Sequence, residues 1–252
     1  MIEFEKRGNV ALITINRPEA RNAVNGDVAR GIDESIDKIE DDDEIWTGIL
    51  THEGPVFCAG ADLKAINEGR AGELNTERGG FGGITQKDRT KPIIAACNGP
   101  AYAGGCEIVL ACDLLVASTE AAFSVPEVKR NLVAAAGAMF RLPLALPKNL
   151  AMEMLLTGDP ITAERAYEVG FVNRLADPGK AIDVALEFAA QLSENAPLAV
   201  RKTREIALTR YETDDEAFAA SGKAMAEVMS SEDTKEGLTA FIEKRKPNWQ
   251  GK

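Results

Sequence analysis

The sequence predicts an α/β fold that ends in helices alone. Apolar runs of strand length alternate with helical patterns as far as Glu127, and from Gly137 onward the patterns are helical. Hydrophobic residues make up 45% of the 252 residues, which is enough for a full core and argues against wholesale disorder. No repeat of about 20–50 residues is visible, so a solenoid is not expected.

The first half of the chain carries the predicted strands, which are short apolar runs bounded by Asn, Gly, Pro or polar clusters. They cover residues 10–15, 46–51, 92–97 and 113–117. Between the first two, aliphatic residues recur at spacings of three and four, which predicts an amphipathic helix. Its apolar face consists of Val28, Ile32, Ile36 and Ile39. The glycine-rich stretch 69–83 has no clear period and is predicted to be a mobile flap.

The second half is predicted to be mainly helical. The apolar run 106–112 follows Gly104 and Gly105 and is typical of a buried helix. Pro147 and Gly158 bracket a stretch of helical period, as the start and stop of a helix. Further helices are predicted over residues 163–169, 181–192, 199–209, 216–229 and 234–244.

Composition and charge exclude several classes of function. The net charge of −11 and the pI near 4.8 argue against a nucleic-acid partner, because phosphate binding needs a basic face. No apolar run is long enough to cross a membrane, and the first residues lack a signal-peptide core, so we expect a cytoplasmic protein. The four cysteines form no CxxC pair and are expected to be reduced core residues.

The single histidine limits metal and acid–base chemistry. With only His52 in the chain, a histidine-cluster metal site is excluded, and no metal is expected. His52 ends a predicted strand beside a turn. We therefore expect a surface or loop residue there, not a catalytic base.

The stretch 91–113 combines the features of a proton-transfer site. Its strand and turn lead into a helix that begins near Gly104, where the backbone N–H groups lack partners and the helix dipole attracts negative charge. Glu107 follows one turn later, so its carboxylate shares a face with the N–H of Gly104. Paired glycines also occur in packing turns, and a first-turn glutamate is often a solvated partner of the dipole. The pattern by itself leaves that structural role open.

Five segments of the chain together resemble the crotonase, or enoyl-CoA hydratase/isomerase, superfamily. The resemblance runs nearly end to end, and the set of segments is more specific than any one of them. They are TINRPEARNAVN from Thr14, CAGADLK from Cys58, GGCEIVLACD from Gly104, AMEMLLTGDPITAERAYEVGFVNRL from Ala151 and FIEKRKPNW from Phe241.

The resemblance implies a fold and an assembly. The fold would be a crotonase-like spiral of ββα units over residues 1–195, followed by a C-terminal helical trimerisation region over residues 196–252. Members of the superfamily assemble as homotrimers or as dimers of trimers, which form hexamers. They act on acyl-CoA thioesters in reactions such as those of fatty acid metabolism, and the coenzyme A is carried by the substrate, so no separate cofactor is expected.

The resemblance also implies the site residues. The backbone N–H groups of Ala61 and Gly104 would form an oxyanion hole for the thioester oxygen, and Glu107 and Glu127 would flank the reacting carbons. The coenzyme A would lie near Arg21, Ala23, Ala59, Asp62, Leu63 and Lys64. Phe241 and Lys244 would reach the nucleotide bound by a neighbouring subunit.

The pair of glutamates favours an enoyl-CoA hydratase, a hydro-lyase of class EC 4.2.1. The loop after Glu127 departs from the superfamily pattern, because Ala134 and Ala135 replace a Pro-Gly pair and Met139 and Phe140 are expected to make the pocket wall more apolar. This departure keeps two alternatives open. One is another crotonase-type reaction, such as dehydration of a carnitinyl-CoA or other hydroxyacyl-CoA or isomerisation of an enoyl-CoA. The other is a catalytically weak protein that binds acyl-CoA.

Overall fold

The computed structural model describes residues 1–209 and 213–251. Its strands are β1 Ile2–Arg7, β2 Val10–Ile15, β3 Thr47–His52, β4 Asn75–Thr76, β5 Gly80–Phe81, β6 Ile93–Cys97, β7 Ala101–Tyr102, β8 Leu114–Ser118, β9 Ala122–Ser124, β10 Ile161–Thr162 and β11 Arg174–Ala176. Its α-helices are α1 Gly26–Asp41, α2 Leu63–Asn67, α3 Gly104–Ala111, α4 Ala138–Ala145, α5 Lys148–Thr157, α6 Ala163–Glu168, α7 Ala181–Leu192, α8 Pro197–Leu208, α9 Asp214–Ser230 and α10 Glu232–Glu243.

The strands form one large and two small sheets. The large sheet has the order β1-β2-β3-β6-β8-β11, in which only the β1–β2 pair is antiparallel. A three-stranded sheet has the order β10-β9-β7, and β4 and β5 form a hairpin. Along the chain, β6 enters the large sheet, β7 enters the small one, and α3 follows. The pair β8 and β9 repeats this alternation, as expected for a spiral of ββα units.

Both faces of the large sheet are buried, which explains why its strands read as continuous apolar runs. In β6, Ile93, Ala95 and Cys97 belong to one core, with α1 and α3. Ile94 and Ala96, which point to the opposite face, pack in a second core with α7. Every residue of β6 is therefore internal, and no alternation of polar and apolar residues marks the strand.

The predicted elements agree with these bounds to within three residues at either end. The helix predicted over residues 181–192 is α7, and Gly158 ends α5 in the left-handed conformation predicted for a stop signal. Cys58, Cys97 and Cys106 are free and buried, as expected. Within the described residues, every helix is too short or too polar to cross a lipid bilayer.

One expectation was wrong. His52 is 3% exposed, because β3 is covered on both sides, and its Nε2 accepts the N–H of Asn98 at 3.0 Å. Burial lowers the pKa of His52 to about 4. The stretch 69–83, predicted to be a mobile flap, contains a short 3₁₀ helix and the β4–β5 hairpin. Its backbone hydrogen bonds are local, such as that from the N–H of Gly82 to the carbonyl of Leu74.

Candidate active site

A strained turn opens the helix that carries Glu107. Ala103, just before α3, has φ +51° and ψ −128°, a conformation that residues with a side chain rarely adopt. Its N–H donates to the carbonyl of Ser124 at 2.9 Å, and its carbonyl accepts the N–H groups of Cys106 and Glu107. No side chain caps α3 at this end. The turn therefore leaves the positive end of the helix accessible to an anionic group.

The two glycines at the start of α3 are required by protein neighbours. A Cβ on Gly104 would lie 2.4 Å from Cε1 of Phe81, and a Cβ on Gly105 would lie 2.2 Å from the carbonyl oxygen of Cys58. These contacts show that α3 packs directly on β5 and on the loop after Cys58.

The loop after Cys58 brings a second backbone amide to the start of α3. Val24 donates to the carbonyl of Gly60 at 2.8 Å and accepts the N–H of Asp62 at 2.9 Å, which fixes the intervening Ala61. Gly60 has φ +96°, and a Cβ there would lie 3.2 Å from the nitrogen of Gly104. In the part of the chain that the structure describes, the N–H groups of Ala61 and Gly104 have no hydrogen-bond acceptor. Two unpaired amides on neighbouring segments suit a developing oxyanion.

These amides and both glutamates line one cavity of about 860 Å³. The cavity also collects most of the residues that the resemblance assigned to coenzyme A. The predicted residues that line it are Arg21, Ala23, Ala59, Ala61, Asp62, Leu63, Lys64, Gly104, Glu107 and Glu127. Residues separated by more than 80 positions in sequence thus share one site.

Glu107 is held in a setting where ionisation is costly. The residue is 3% exposed, and its Oε1 accepts the backbone N–H of Ala138 at 3.1 Å. The pKa of Glu107 is raised to about 7, mainly by burial and also by the charge of Glu127. The N–H groups of Ala138 and Ala136 and the charge of Arg141 oppose this rise. Glu107 therefore exchanges a proton near neutral pH, as general acid–base chemistry requires.

Glu127 lines the same cavity from a different segment of the chain. It lies in the 3₁₀ helix Pro126–Arg130, directly after β9. Its Oε2 is buried and has no hydrogen-bond partner among the described residues. Burial also raises the pKa of Glu127. An unpartnered buried carboxyl oxygen at a cavity wall is available to a substrate or to water.

The cavity mouth carries positive charge on a protein that is acidic overall. Arg21, Lys64 and Arg130 line the cavity with exposed side chains, which suits a phosphorylated ligand. Asp62 also lines it, but its carboxylate is occupied by Arg17 at 2.7 Å and by the N–H groups at the start of α2. These contacts use most of the acceptor capacity of the Asp62 carboxylate.

Phe241 and Lys244 do not line the cavity. They lie in α10 and at its C-terminal end, and Phe241 is 85% exposed. Both were assigned to the nucleotide of a neighbouring subunit, so a single chain does not test their role.

Sequence reasoning missed part of the cavity wall. Leu132 and Val133 line the cavity, whereas Met139 and Phe140, which were expected to do so, lie exposed on α4. Helix α4 begins at Ala138 and turns these two side chains away. The hairpin contributes Phe81, whose only signal in the sequence was a bulky residue between glycine pairs.

Asn22 was also missed, although it shapes the mouth. It is completely buried with φ +54°, a conformation that asparagine tolerates better than most residues. Its side chain accepts the N–H of Arg17 and donates to the carbonyls of Glu53 and Val56. It thereby joins the loop that carries Arg21 to the loop that leads to Ala61.

Comparisons with known proteins agree with the fold. A family model described as enoyl-CoA hydratase/isomerase matches residues 5–252. An enoyl-CoA hydratase of Mycobacterium tuberculosis is 39% identical over 255 residues, which cover 98% of this chain and 96% of the relative. A carnitinyl-CoA dehydratase of Proteus mirabilis is 39% identical over 258 residues, which cover 100% of this chain and 98% of the relative.

A solved structure agrees equally well. The crystal structure of an enoyl-CoA hydratase from Mycobacterium tuberculosis superimposes with a TM-score of 0.96 at 46% identity, and the match covers 100% of this chain and 99% of that chain. The resemblance and the crotonase-like fold predicted from the five sequence segments are therefore confirmed. The chain belongs to the enoyl-CoA hydratase/isomerase family.

Proposed function

We propose that this chain is an enoyl-CoA hydratase, which adds water across the 2,3 double bond of a trans-2-enoyl-CoA thioester. The observation that carries the proposal is the meeting of two buried carboxyl groups and two unpaired backbone amides in one cavity. Hydration needs these groups, because a proton must leave water, another must reach Cα, and negative charge must be stabilised on the thioester oxygen.

The proposed steps balance as follows. The Glu107 carboxylate takes a proton from water as the water oxygen bonds to Cβ, and the π electrons of the double bond move towards the thioester oxygen. The amides of Ala61 and Gly104 stabilise that oxygen, each by about 3 kcal/mol by analogy with other oxyanion holes. The electron pair then returns to Cα, which takes the proton of Glu127. Transfer of a proton from Glu107 to Glu127 through solvent restores both groups.

The raised pKa values suit proton exchange by both glutamates. With a pKa of about 7, Glu107 has a large ionised fraction at neutral pH and remains a strong base for its task. Burial also raises the pKa of Glu127, so its protonated fraction is larger than that of an exposed glutamate. The two carboxyls also repel each other when both are charged, which favours a state with one proton on the pair.

The substrate would bring its own coenzyme A, and the proposed reaction needs no other cofactor. The acyl group would lie between the glutamates and the apolar wall of Leu132 and Val133. The phosphates would lie towards Arg21 and Lys64 at the mouth. This orientation places the thioester at the amides of Ala61 and Gly104.

We also propose a homotrimer or a dimer of trimers, in the cytoplasm. Helices α9 and α10 expose more large apolar side chains than an isolated chain commonly leaves in water. These residues are Phe218, Met225, Met229, Leu238, Phe241 and Ile242. Analytical ultracentrifugation tests the assembly, and a monomer at micromolar concentration would contradict it.

Product analysis with crotonyl-CoA tests the proposed reaction. We expect loss of the enoyl-thioester absorbance and a product that is heavier by one water. Glu107→Gln and Glu127→Gln should each lower kcat by about 10²–10⁴-fold. Glu187→Gln, an exposed glutamate of α7, serves as the matched control and should retain wild-type activity. Tight binding of crotonyl-CoA without turnover, for this and longer enoyl-CoA substrates, would instead identify a weak acyl-CoA-binding protein.

A second reaction is favoured by one comparison. The relative named carnitinyl-CoA dehydratase is as similar in sequence as the hydratase. Phe81 and Tyr102 both line the cavity, and aromatic faces attract quaternary ammonium groups. The same catalytic groups run in reverse would dehydrate a hydroxyacyl-CoA. Comparison of kcat/KM for crotonyl-CoA and for carnitinyl-CoA distinguishes the two substrates, and assay of a 3-enoyl-CoA tests isomerisation.

A further inference from the structure

Arg141, in the first turn of α4, connects the cavity wall to the segment after the hairpin. Its Nη2 donates to the carbonyl of Thr85 at 2.7 Å, and its Nη1 donates to the carbonyl of Ala136 at 3.3 Å. The guanidinium also lies over the ring of Phe140, 5.1 Å from its centroid. One side chain therefore holds two segments that are some 50 residues apart in sequence at a fixed distance.

The segment that Arg141 holds is the one that orients Glu107. The carbonyl of Ala136 accepts a hydrogen bond from Nη1 of Arg141. Two residues later, the N–H of Ala138 donates to Oε1 of Glu107. Gly137, between them, has φ +129°, and a Cβ there would lie 2.1 Å from Nη1 of Arg141. Because the guanidinium lies directly against this backbone, any movement of the arginine changes the position of the Ala138 amide.

Arg141 is also the positive charge that acts on Glu107. The charged or titratable groups that face Glu107 are Glu127 on the 3₁₀ helix, Arg141 on α4 and Cys106 on its own helix. Of these, Glu127 opposes ionisation of Glu107, and Arg141 favours it. Arg141 itself also lies in the field of Arg89 and Cys112.

We propose that Arg141 is a positioning residue, which fixes residues 136–138 against Glu107 and so sets the geometry in which that carboxylate acts. This inference rests on the proposed role of Glu107 as the group that activates water. Arg141 touches neither substrate nor reacting atoms in this scheme. It acts through the Ala138 amide and through its charge.

The test compares two substitutions. Arg141→Gln removes the positive charge and most of the N–H donors of the guanidinium, and Arg141→Lys keeps the positive charge without the planar guanidinium. The titration midpoint of the Glu107 carboxyl is followed by NMR of protein labelled with ¹³C at glutamate Cδ, assigned with Glu107→Gln. The kinetic constants for crotonyl-CoA are measured over the same pH range. Arg165→Gln, a surface arginine of α6, is the matched control and should change neither quantity.

We expect Arg141→Gln to raise the Glu107 midpoint, and the acidic limb of the kcat/KM profile, by ~0.5–1 pH unit, because an opposite charge is lost. Its kcat should fall about tenfold or more, with a smaller change in KM, since the substrate contacts remain. Arg141→Lys should return the midpoint to the wild-type value but recover kcat only in part.

The proposal is overturned if Arg141→Gln lowers thermal stability and leaves the midpoint at the wild-type value. It is equally overturned if the lysine variant shifts the midpoint as far as the glutamine variant does. Should Arg141→Gln not fold, Arg141→Lys decides: reduced kcat at an unchanged midpoint supports the proposal, and wild-type kcat overturns it. If the wild-type protein hydrates no enoyl-CoA, the proposed function fails, yet the NMR midpoints still decide the role of Arg141.

Discussion

The carboxyl group of Glu107 would serve the proposed chemistry at a cost to stability. The folded protein holds its proton more tightly than an unfolded chain does, because the pKa is about 7 in place of 4.5. The free energy of unfolding therefore falls as the pH rises from about 4.5 to 7, and above that range the ionised carboxylate costs about 3 kcal/mol. Active-site groups commonly carry such a cost.

Replacement of Glu107 by Gln should therefore stabilise the protein above neutral pH. Gln cannot ionise, and its oxygen can still accept the Ala138 N–H. We expect the variant to exceed the wild type by about 3 kcal/mol at pH 8 and to match it below pH 4.5. Urea unfolding at both pH values measures this difference. A stability difference that does not change with pH would show that ionisation of Glu107 is not the cause.

At the scale of elements, the two glycines that begin α3 each lie close to another segment, and the two neighbours are of different kinds. The neighbour of Gly104 is an aromatic side chain, which can move, whereas the neighbour of Gly105 is a backbone carbonyl, which cannot move without shifting the loop that carries Ala61. A smaller residue at Phe81 should therefore relieve the overpacking caused by a Cβ on Gly104, but not that caused by a Cβ on Gly105.

We expect Gly104→Ala to lower the free energy of unfolding by about 1–3 kcal/mol through overpacking against Phe81. Adding Phe81→Leu should recover much of that loss and give a favourable coupling energy in a double-mutant cycle. Gly105→Ala should not be recovered by Phe81→Leu.

Gly72→Ala, in the exposed 3₁₀ helix Ala71–Leu74 with open space around the Cα, is the matched control for these variants. It should be neutral or stabilising by up to about 1 kcal/mol, since alanine has fewer unfolded conformations than glycine. Equal losses at Gly104 and Gly105 that Phe81→Leu does not alter would contradict the distinction between them.

The regular elements and the position of Glu107 could be predicted from the sequence, because both leave local signals, whereas Ala61 and Glu127 were assigned to the site only by the resemblance. Runs of apolar residues marked β2, β3, β6 and β8, and the order strand, glycines, helix placed Glu107 beside the Gly104 amide. The two-residue strands β4, β5, β7 and β10 carry no period and could not be predicted. Phe81 and Arg141 owe their positions to contacts between distant segments, which no local pattern shows.

At the scale of the whole molecule, a buried charge network joins the last helices to the spiral. Oδ2 of Asp113 accepts Arg89 at 2.5 Å and the N–H of Ile93 at 2.8 Å, and its Oδ1 accepts Arg204 of α8 at 2.8 Å. The Arg89 side chain is 2% exposed. The carboxylate of Asp113 therefore helps to hold α8, which belongs to the region 196–252, against the rest of the chain.

Loss of that carboxylate should be costly. We expect Asp113→Asn to lower the free energy of unfolding by about 3–5 kcal/mol, because two arginines would remain buried without a partner charge. Asp183→Asn, which breaks an exposed ion pair with Lys180, is the control and should cost less than about 1 kcal/mol. Unfolding in guanidinium chloride measures the free energy of unfolding of both variants. Equal losses in the two would show that the buried network contributes no more than an exposed ion pair.

The buried histidine of β3 has a consequence for the acid tolerance of the protein. Because its pKa is lowered from 6.5 to about 4, His52 makes unfolding easier as the solution is acidified through that interval. Glu107 has the reverse dependence over nearly the same interval. The contributions of these two residues, each about 3 kcal/mol, therefore largely compensate between about pH 4.5 and 6.5. Mild acidification would thus protonate the carboxyl that we propose to activate water, while His52 offsets the stability that Glu107 gains from its proton.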